Sequence, residues 1–343
     1  MSSKPSRIIS DIDLDADGKQ FGFLNIPYSR NDSAWGSIRM PMIVIKNGNG
    51  PTILFTGGNH GDEYEGPIGL LKLVRRLEPS RINGRVIVIP ALNFPAVQAG
   101  TRLSPIDGLN MNRVFPGRRE GTVTSMIAHY VYTEVLPLAD VVVDIHAGGK
   151  SMTLVPCAVI HELEDRAMME RTLAAMRVFG APLGLVLVEL DSDGMLDTAV
   201  EEMGKVFISA ELGGGGTITT ETVATADRGI HNMLSHFGVL NEPLITREEL
   251  GLTPTRVMHT PEGNSFVVSD ETGIYENLVD LGAEVSIGTP IGRVHFFETP
   301  EREHVEYKAE RSGTLVCRYT PGLIKRGDCV GVIANDYPTP ADG

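Results

Sequence analysis

Two short segments of the chain carry residue types that bind metal ions. His60 and Glu63 lie in "TGGNHGDEYEG", directly after the apolar run "TILF", and His146 ends a second apolar run in "VVVDIHAGG". Two imidazoles and one carboxylate are a common protein ligand set of catalytic zinc, which keeps a fourth position open. Alone, His60 and Glu63 could equally form a polar loop that caps a helix. His146 favours the metal site because it supplies the third ligand.

A further carboxylate, Glu211, ends the apolar run of "VFISAELGGGG". A carboxylate near a metal-activated water can accept a proton from that water and deliver it to a leaving amine. The alternative is a buried acid that pairs with an arginine. If Glu211 is not the base, Glu189 is the other candidate.

The segment "NFPAVQAGTRLSPIDGLNMNRVFPG" is long and rich in Gly, Pro and Asn. Loops of this length inside a compact domain are usually functional. It contains Arg102, Asn112 and Arg113, and a guanidinium group can bind a carboxylate through two parallel hydrogen bonds. The alternative is that these side chains fix the loop through backbone carbonyls.

The order of the elements indicates how these residues are positioned. From about residue 20 to 240, short apolar runs alternate with helical patterns. The predicted strands are "MPMIVIK", "TILFT", "RVIVIPAL", "ADVVVDIH", "LVLVEL" and "KVFISAEL", and the predicted helices span residues 67–77, 123–136, 162–178 and 222–237. Such alternation predicts an α/β domain with a mostly parallel sheet flanked by helices. Ligands bind such sheets at the carboxyl ends of the strands, where the candidate residues lie.

Beyond about residue 245 the helical periodicity disappears. The segments "GIYENLVDLGAEVSIGTPIGRV" and "ERSGTLVCRYTPGLIKRGDCVGVI" resemble each other and the two hairpin units of a lipoyl-like β-sandwich. The hairpin tip that normally carries the modified lysine reads "ETPERE" here, which favours a structural or oligomerisation role over a carrier role. We therefore predict a zinc hydrolase domain at 1–245, with an N-terminal β segment, and a smaller all-β domain at 246–343.

Composition excludes several classes of function. The chain has 343 residues and a net charge of −14, which opposes binding to nucleic acid or to an anionic membrane. It contains no apolar run of membrane-spanning length and no apolar leader. Its three cysteines show no CxxC spacing, so reduced thiols are expected. These features predict a cytoplasmic protein that acts on small molecules and could form a homo-oligomer.

Taken in order, the segments "GGNHGDEYEG", "TRLSPIDGLNMNRVFPG", "DIHAGG" and "AELGGG" resemble the succinylglutamate desuccinylase/aspartoacylase family, relatives of the zinc carboxypeptidases. The resemblance covers roughly residues 50–240 and the C-terminal β region. It implies a zinc carboxypeptidase-like fold and one Zn²⁺ per chain, held by His60, Glu63 and His146.

The resemblance also implies roles for the remaining candidates. Glu211 would be the general base, and Arg102 would polarise the scissile carbonyl and stabilise the oxyanion. Asn112 and Arg113 would hold the α-carboxylate of an N-acyl amino acid.

Within the family, the stretch "ELGGGGT" and the N-terminal "WGSIRMPMIVIKNGNGPT" most resemble members that deacetylate N-α-acetyl-L-2,4-diaminobutyrate in ectoine breakdown. The acidic residues Glu189, Asp191 and Asp193 could pair with the side-chain ammonium of that substrate. A succinyl group would require a further cation, which the matched segments do not supply. The alternatives are a desuccinylase, an aspartoacylase-like deacylase, a small-peptide carboxypeptidase and a non-catalytic binding protein that kept the fold.

Overall fold

The computed structural model describes residues 5–188, 192–261 and 263–338. Its α-helices are α1 (Glu65–Arg76), α2 (Phe94–Ala99), α3 (Val123–Tyr130), α4 (Arg166–Phe179), α5 (Leu196–Glu201) and α6 (Thr220–His236). Short 3-10 turns span Pro79–Arg81, Met111–Arg113, Leu136–Leu138 and Gly263–Ser265, and a π-helical turn at Val131–Val135 extends α3. None of the helices described is long and apolar enough to cross a membrane.

The strands of the N-terminal part are β1 (Ile9–Ser10), β2 (Gly18–Pro27), β3 (Ser37–Asn47), β4 (Thr52–Gly57), β5 (Gly84–Ile89), β6 (Val141–His146), β7 (Met152–Leu154), β8 (Cys157–His161), β9 (Leu183–Leu187) and β10 (Val206–Glu211). Those that follow are β11 (Arg256–Thr260), β12 (Phe266–Val268), β13 (Gly273–Asn277), β14 (Glu284–Val285), β15 (Pro290–His295), β16 (Val305–Lys308), β17 (Gly313–Tyr319), β18 (Leu323–Ile324) and β19 (Cys329–Asp336).

One large sheet runs through the molecule in the order β1-β2-β3-β5-β4-β6-β10-β8-β9-β11-β19-β17-β14. The centre, β5-β4-β6-β10, is parallel, and so are the pairs β8-β9 and β9-β11. The N-terminal strands β1, β2 and β3 pair antiparallel, as do β3 with β5 and β10 with β8. The α/β prediction is confirmed, but the prediction of a mostly parallel sheet needs correction: the sheet is mixed.

Helices cover both faces of the central sheet because its strands are apolar on both sides. On one face α1, α4 and α6 bury Leu70, Phe179 and Ile230 against the sheet. On the other face α3 and α5 bury Ile127 and Val200. This double cover leaves the carboxyl edge of the parallel strands as the place where polar side chains can gather.

The C-terminal region contains only strands and one 3-10 turn among the described residues, as the loss of helical periodicity predicts. Strands β16-β15-β13-β18 form a separate antiparallel sheet. Strands β17 and β19 instead join the large sheet, and β17 also pairs with β7. The C-terminal strands thus pair directly with strands of the N-terminal part of the chain.

The four predicted helices correspond to α1, α3, α4 and α6, with ends that differ by a few residues. The sequence did not identify β2 or β8. The predicted strand "LVLVEL" corresponds to β9, and its last two residues lie outside the described residues.

Candidate metal centre and active site

The register of the sheet brings the candidate ligands to one edge. β4 and β6 are parallel neighbours with Thr56 opposite Asp144, so the turn after β4 and the end of β6 lie side by side. In β10, Glu211 lies opposite His146. The carboxyl ends of adjacent parallel strands therefore meet at the position that holds ligands in open α/β sheets.

The turn between β4 and α1 requires glycine at two positions. Gly58 has a φ of +65°, which disfavours a side chain. At Gly61 a Cβ atom would lie 2.0 Å from the backbone of Ala96 in α2. Glycine at these two positions lets the turn pack closely against α2, and His60 and Glu63 within the turn are buried.

Glu63 lies between the two histidines. Its Oε1 is 2.8 Å from His60 Nδ1, and its Oε2 is 2.9 Å from His146 Nδ1. The backbone N–H of Ala147 also donates to Oε2, at 3.3 Å. One ligand atom from each of the three side chains lies within 4.8 Å of the others. The sequence-predicted ligand set is thus a compact cluster, and all three members are buried.

The outer nitrogens of both histidines contact acceptors. His146 Nε2 is 2.7 Å from Asp144 Oδ2, and His60 Nε2 is 3.1 Å from Asn110 Oδ1. Because each Nε2 lies beside an oxygen, each ring can keep its proton on Nε2 and offer its Nδ1 lone pair to a cation beside Glu63. Without a cation, protons on the rings can balance the charge of Glu63 instead. The donor set therefore fits a zinc ion bound through both Nδ1 atoms and Glu63.

The pKa shifts in the cluster also indicate that positive charge beside Glu63 is favourable. Burial would raise the pKa of Glu63, but the two histidines hold it below its ordinary value. Burial would likewise lower the pKa of His146, but Asp144 and Glu63 raise it well above the usual value. For His60, burial prevails and lowers the pKa.

Asp144 is held by a buried network. Its Oδ1 accepts from the Thr56 hydroxyl at 2.7 Å, and its Oδ2 accepts from Asn59 Nδ2 at 2.9 Å. Burial would raise the pKa of Asp144, but His146, and to a smaller extent these two bonds, keep it below its ordinary value. Asp144 lies two residues before His146 in the candidate segment "VVVDIHAGG", but the sequence gave no indication of a role for Asn59 or Asn110. The only feature of the sequence that could have identified Asn59 and Asn110 is their position within the candidate segments "GGNHGDEYEG" and "TRLSPIDGLNMNRVFPG".

The residues predicted to bind substrate lie beside this cluster. Asn112 is buried, and its Oδ1 accepts from Asn59 Nδ2 and from the backbone N–H of Leu196. Arg113 is exposed and donates to the carbonyl of Asn112 at 2.7 Å. The Arg102 guanidinium lies 3.6 Å from Glu63 Oε1 with its side chain about half exposed. The structure thus places all three residues beside the candidate metal ligands His60, Glu63 and His146.

Glu211 Oε2 is buried and has no hydrogen-bond partner within the described ranges. The alternative interpretation of Glu211 was a buried acid paired with an arginine. The described residues show no such pair. Burial is the main reason that the pKa of Glu211 rises to about 8. A carboxylate in this state binds a proton more readily than an ordinary one.

A cavity of about 520 Å³ connects these residues. Its lining includes the metal cluster, Arg102, Asn112, Arg113 and Glu211, and it continues to side chains of the C-terminal strands such as Phe266 and Val316. His161 and Asp197 also line it. The predicted helix at 162–178 would begin directly after His161, but His161 ends strand β8 and α4 begins only at Arg166.

Of the acidic residues proposed to meet a substrate ammonium, Glu189 and Asp191 lie outside the described residues. Asp193 is described and is exposed.

Comparison with known proteins supports a single family. Residues 49–237 match the Succinylglutamate desuccinylase/Aspartoacylase catalytic domain. The N-alpha-acetyl-L-2,4-diaminobutyric acid deacetylase of Halomonas elongata is 44% identical over 331 residues, which are 96% of each chain.

Two solved structures have nearly the same fold. The product-bound ectoine utilization protein EutE (DoeB) from Ruegeria pomeroyi is 47% identical, with a TM-score of 0.93 over 97% of this chain and 100% of that one. A succinylglutamate desuccinylase from Silicibacter is 46% identical, with a TM-score of 0.92 over 98% and 100%. The chain belongs to the succinylglutamate desuccinylase/aspartoacylase family.

Proposed function

We propose that this protein is a deacetylase that hydrolyses N-α-acetyl-L-2,4-diaminobutyrate to acetate and L-2,4-diaminobutyrate, a step in ectoine breakdown. The observation that carries the proposal is the 44% identity, over nearly the whole of both chains, to a deacetylase named for that substrate. The cluster of His60, Glu63 and His146 and the acid Glu211, whose Oε2 has no partner among the described residues, support it, because metal-assisted amide hydrolysis uses a metal site and a base.

His60, Glu63 and His146 would hold one zinc ion per chain. When bound, zinc supplies a Lewis acid that lowers the pKa of a coordinated water towards 7 and polarises the scissile carbonyl. The contribution of the chain is the arrangement of the ligands. Asp144 and Asn110 fix both imidazole rings, and Glu63 is held by the backbone of Ala147 as well as by the rings.

Glu211 would accept the proton of the attacking water. The water oxygen forms a bond to the acetyl carbon, the bond from that carbon to the α-nitrogen breaks, and Glu211 returns the proton to the departing amine. The raised pKa of Glu211 suits a group that must both accept and release a proton near neutral pH.

Arg102 would stabilise the negative charge that develops on the carbonyl oxygen, since its guanidinium lies beside the metal cluster. Asn112 and Arg113 would bind the α-carboxylate of the substrate. The two donors to Asn112 Oδ1 support this role because they turn the amide nitrogen of Asn112 away from Asn59 and Leu196.

A desuccinylase is the second candidate because one relative of 46% identity carries that name. A succinyl group would add a carboxylate that requires a cation of its own. Among the described residues that line the cavity, the arginines are Arg102 and Arg113, and both have roles in cleaving any N-acyl amino acid. The acetyl group therefore fits this cavity better.

The test is a comparison of kcat/KM on five compounds with the zinc-loaded protein. They are N-α-acetyl-L-2,4-diaminobutyrate, its γ-acetyl isomer, N-acetylaspartate, N-acetylmethionine and N-succinylglutamate. We expect the α-acetyl compound to be preferred. Preference for either dicarboxylate would assign the protein to the aspartoacylase or desuccinylase branch, and no hydrolysis at all would favour a binding protein.

For the C-terminal region, our proposal is a lipoyl-like sandwich at 246–343 that serves as a wall of the cavity rather than as a carrier. Its support is the cavity lining by Phe266, Val316 and Tyr319. The boundary at residue 245, a cytoplasmic location and a homo-oligomeric state stay predictions.

A further inference from the structure

We propose that Lys150 is a positioning residue that holds the loop of Arg102 against the candidate metal ligands. This inference rests on the deacetylase function proposed above, in which Arg102 stabilises the charge on the carbonyl oxygen. Lys150 ends the segment "HAGGK", which begins with His146 at the end of β6. It is exposed, and it is not one of the described residues that line the cavity. Lys150 would therefore act through Arg102 and not on the substrate.

Arg102 is held only weakly by its own side chain. That side chain is about half exposed, and its guanidinium is 3.6 Å from Glu63 Oε1, which is too far for a hydrogen bond. The position of Arg102 therefore depends on the backbone of the loop that carries it. A displacement of about 1 Å at a catalytic group can lower the rate about 10²-fold. The contacts that fix this loop are thus relevant to the rate of the reaction.

The two carbonyls that precede Arg102 accept hydrogen bonds from segments that carry the candidate metal ligands. The backbone N–H of Gly61, in the turn between β4 and α1, donates to the carbonyl of Thr101 at 3.0 Å. Lys150 Nζ, in the loop after β6, donates to the carbonyl of Gly100 at 2.6 Å. These two bonds fix the start of the Arg102 loop relative to the metal cluster.

Lys150 is itself held at two further points. Its backbone N–H donates at 2.9 Å to Oδ2 of the buried residue Asp62. Its side-chain stem packs on Gly216, in the glycine run after Glu211, where a Cβ atom would lie 2.9 Å from Lys150 Cγ. Gly216 has a φ of +66°, a conformation that favours glycine. The ammonium therefore reaches Gly100 from a fixed backbone and along a packed stem.

Only one of these contacts depends on the charge of Lys150. The bond to Asp62 comes from the backbone, and the packing on Gly216 involves the apolar part of the side chain. Methionine keeps both but cannot donate to the carbonyl of Gly100. We therefore expect Lys150→Met to loosen the Arg102 loop and to leave the candidate metal ligands in place.

The first measurement is steady-state kinetics of the zinc-loaded Lys150→Met variant on N-α-acetyl-L-2,4-diaminobutyrate. We expect kcat to fall about 3- to 30-fold, the scale of the coupling between residues that share a network. KM should change less than about twofold, because Asn112 and Arg113 would still bind the carboxylate. Lys150→Arg should recover most of the lost turnover, since a guanidinium can also donate to the carbonyl of Gly100.

The decisive measurement is a double-mutant cycle with Arg102→Ala. If Lys150 acts through Arg102, Lys150→Met should lower kcat less than about twofold in a protein that already lacks the guanidinium. An equal fall in both backgrounds would assign Lys150 a merely structural role and overturn the inference. Unchanged kcat in the single variant would overturn it as well.

Lys205→Met is the matched control. Lys205 Nζ also donates to a backbone carbonyl, that of Pro137, at 3.1 Å. It directly precedes β10, so it lies at the end of that strand opposite Glu211. This variant should keep the kcat of the wild type.

Folding is checked by the melting temperature and the zinc content, which should match those of the wild type in each single variant. If Lys150→Met fails to fold, Lys150→Gln is the second test, and an additive cycle with Arg102→Ala would again contradict the inference. A wild-type protein that hydrolyses no N-acyl amino acid would refute the proposed function. An active wild type with an additive cycle would refute only the role of Lys150.

Discussion

Replacement of Glu211 by glutamine should lower activity and raise stability. Glutamine has nearly the shape of glutamate but cannot accept the proton of the attacking water. Removal of a positioned general base costs roughly 10²-fold or more in turnover. The proposed metal ligands do not include Glu211, so we expect the zinc content to stay the same.

The effect on stability follows from the buried position of the acid. Its ordinary pKa is 4.5, and burial raises the pKa of Glu211 to about 8. Between these pH values the unfolded chain releases a proton that the folded protein retains, so the metal-free wild type loses stability as the pH rises. At about 1.36 kcal/mol per pKa unit the loss approaches about 5 kcal/mol above pH 8 as an upper bound. Glutamine does not ionise, so the free energy of unfolding of the Glu211→Gln variant does not include this loss.

The assay is urea unfolding of the metal-free proteins at pH 5 and pH 8.5, with turnover measured on the zinc-loaded forms. The stability gain of Glu211→Gln should be small at pH 5 and reach several kcal/mol at pH 8.5. Glu202→Gln, at an exposed site directly after α5, is the control and should change neither quantity. A Glu211→Gln protein that is less stable than wild type at pH 8.5, or that keeps near wild-type turnover, would refute the reasoning.

Three further predictions concern the cluster and the loop. His146→Ala should abolish metal binding and activity together, and unchanged metal in elemental analysis would show that the ligand assignment is wrong. Asp144→Asn should weaken metal affinity about 10- to 100-fold in competition with a chelator, because the amide cannot hold the His146 ring as strongly. Unchanged affinity would show that Asp144 does not support the metal site. Arg113→Ala should mainly raise KM and Arg102→Ala mainly lower kcat, because one meets a ground-state carboxylate and the other a charge of the transition state; identical effects in steady-state kinetics would contradict this division.

The sequence predicts the cluster well because strand order and chemistry agree there. His60, Glu63 and His146 follow apolar runs, and the carboxyl ends of neighbouring parallel strands must lie together. Buried strands such as β4 and β6 also have the continuous apolar pattern that is easiest to identify. The placement of the catalytic candidates therefore needed little knowledge of long-range contacts.

The remaining features depend on contacts that periodicity does not encode. Strand β2 mixes polar and apolar residues because it packs on one face only, so its pattern resembles that of a loop. β8 runs antiparallel to β10 at the point where the sheet becomes mixed, and nothing local in "CAVIH" indicates that pairing. For the same reason, His161 and Asp197 could not be assigned to the cavity from their spacing.

Hydrogen bonds connect the metal ligands to the substrate-binding side of the cavity. Asp144 contacts His146 and accepts from Asn59, and the same Asn59 amide also donates to Asn112 at 3.2 Å. All four residues are buried. A buried and well-bonded network leaves little freedom to its members. The distance between the proposed metal-binding nitrogen of His146 and the proposed carboxylate-binding amide of Asn112 is thus fixed before a substrate arrives, which favours the orientation needed for reaction.

The same oxygen of Asn112 also fixes the start of α5, through its bond from the Leu196 backbone. A substrate carboxylate bound at Asn112, as proposed, would therefore be held by a group that is itself fixed to both α5 and Asn59. A substrate held in this way presents its acetyl carbon to the proposed metal ligands in one orientation, which favours the reaction.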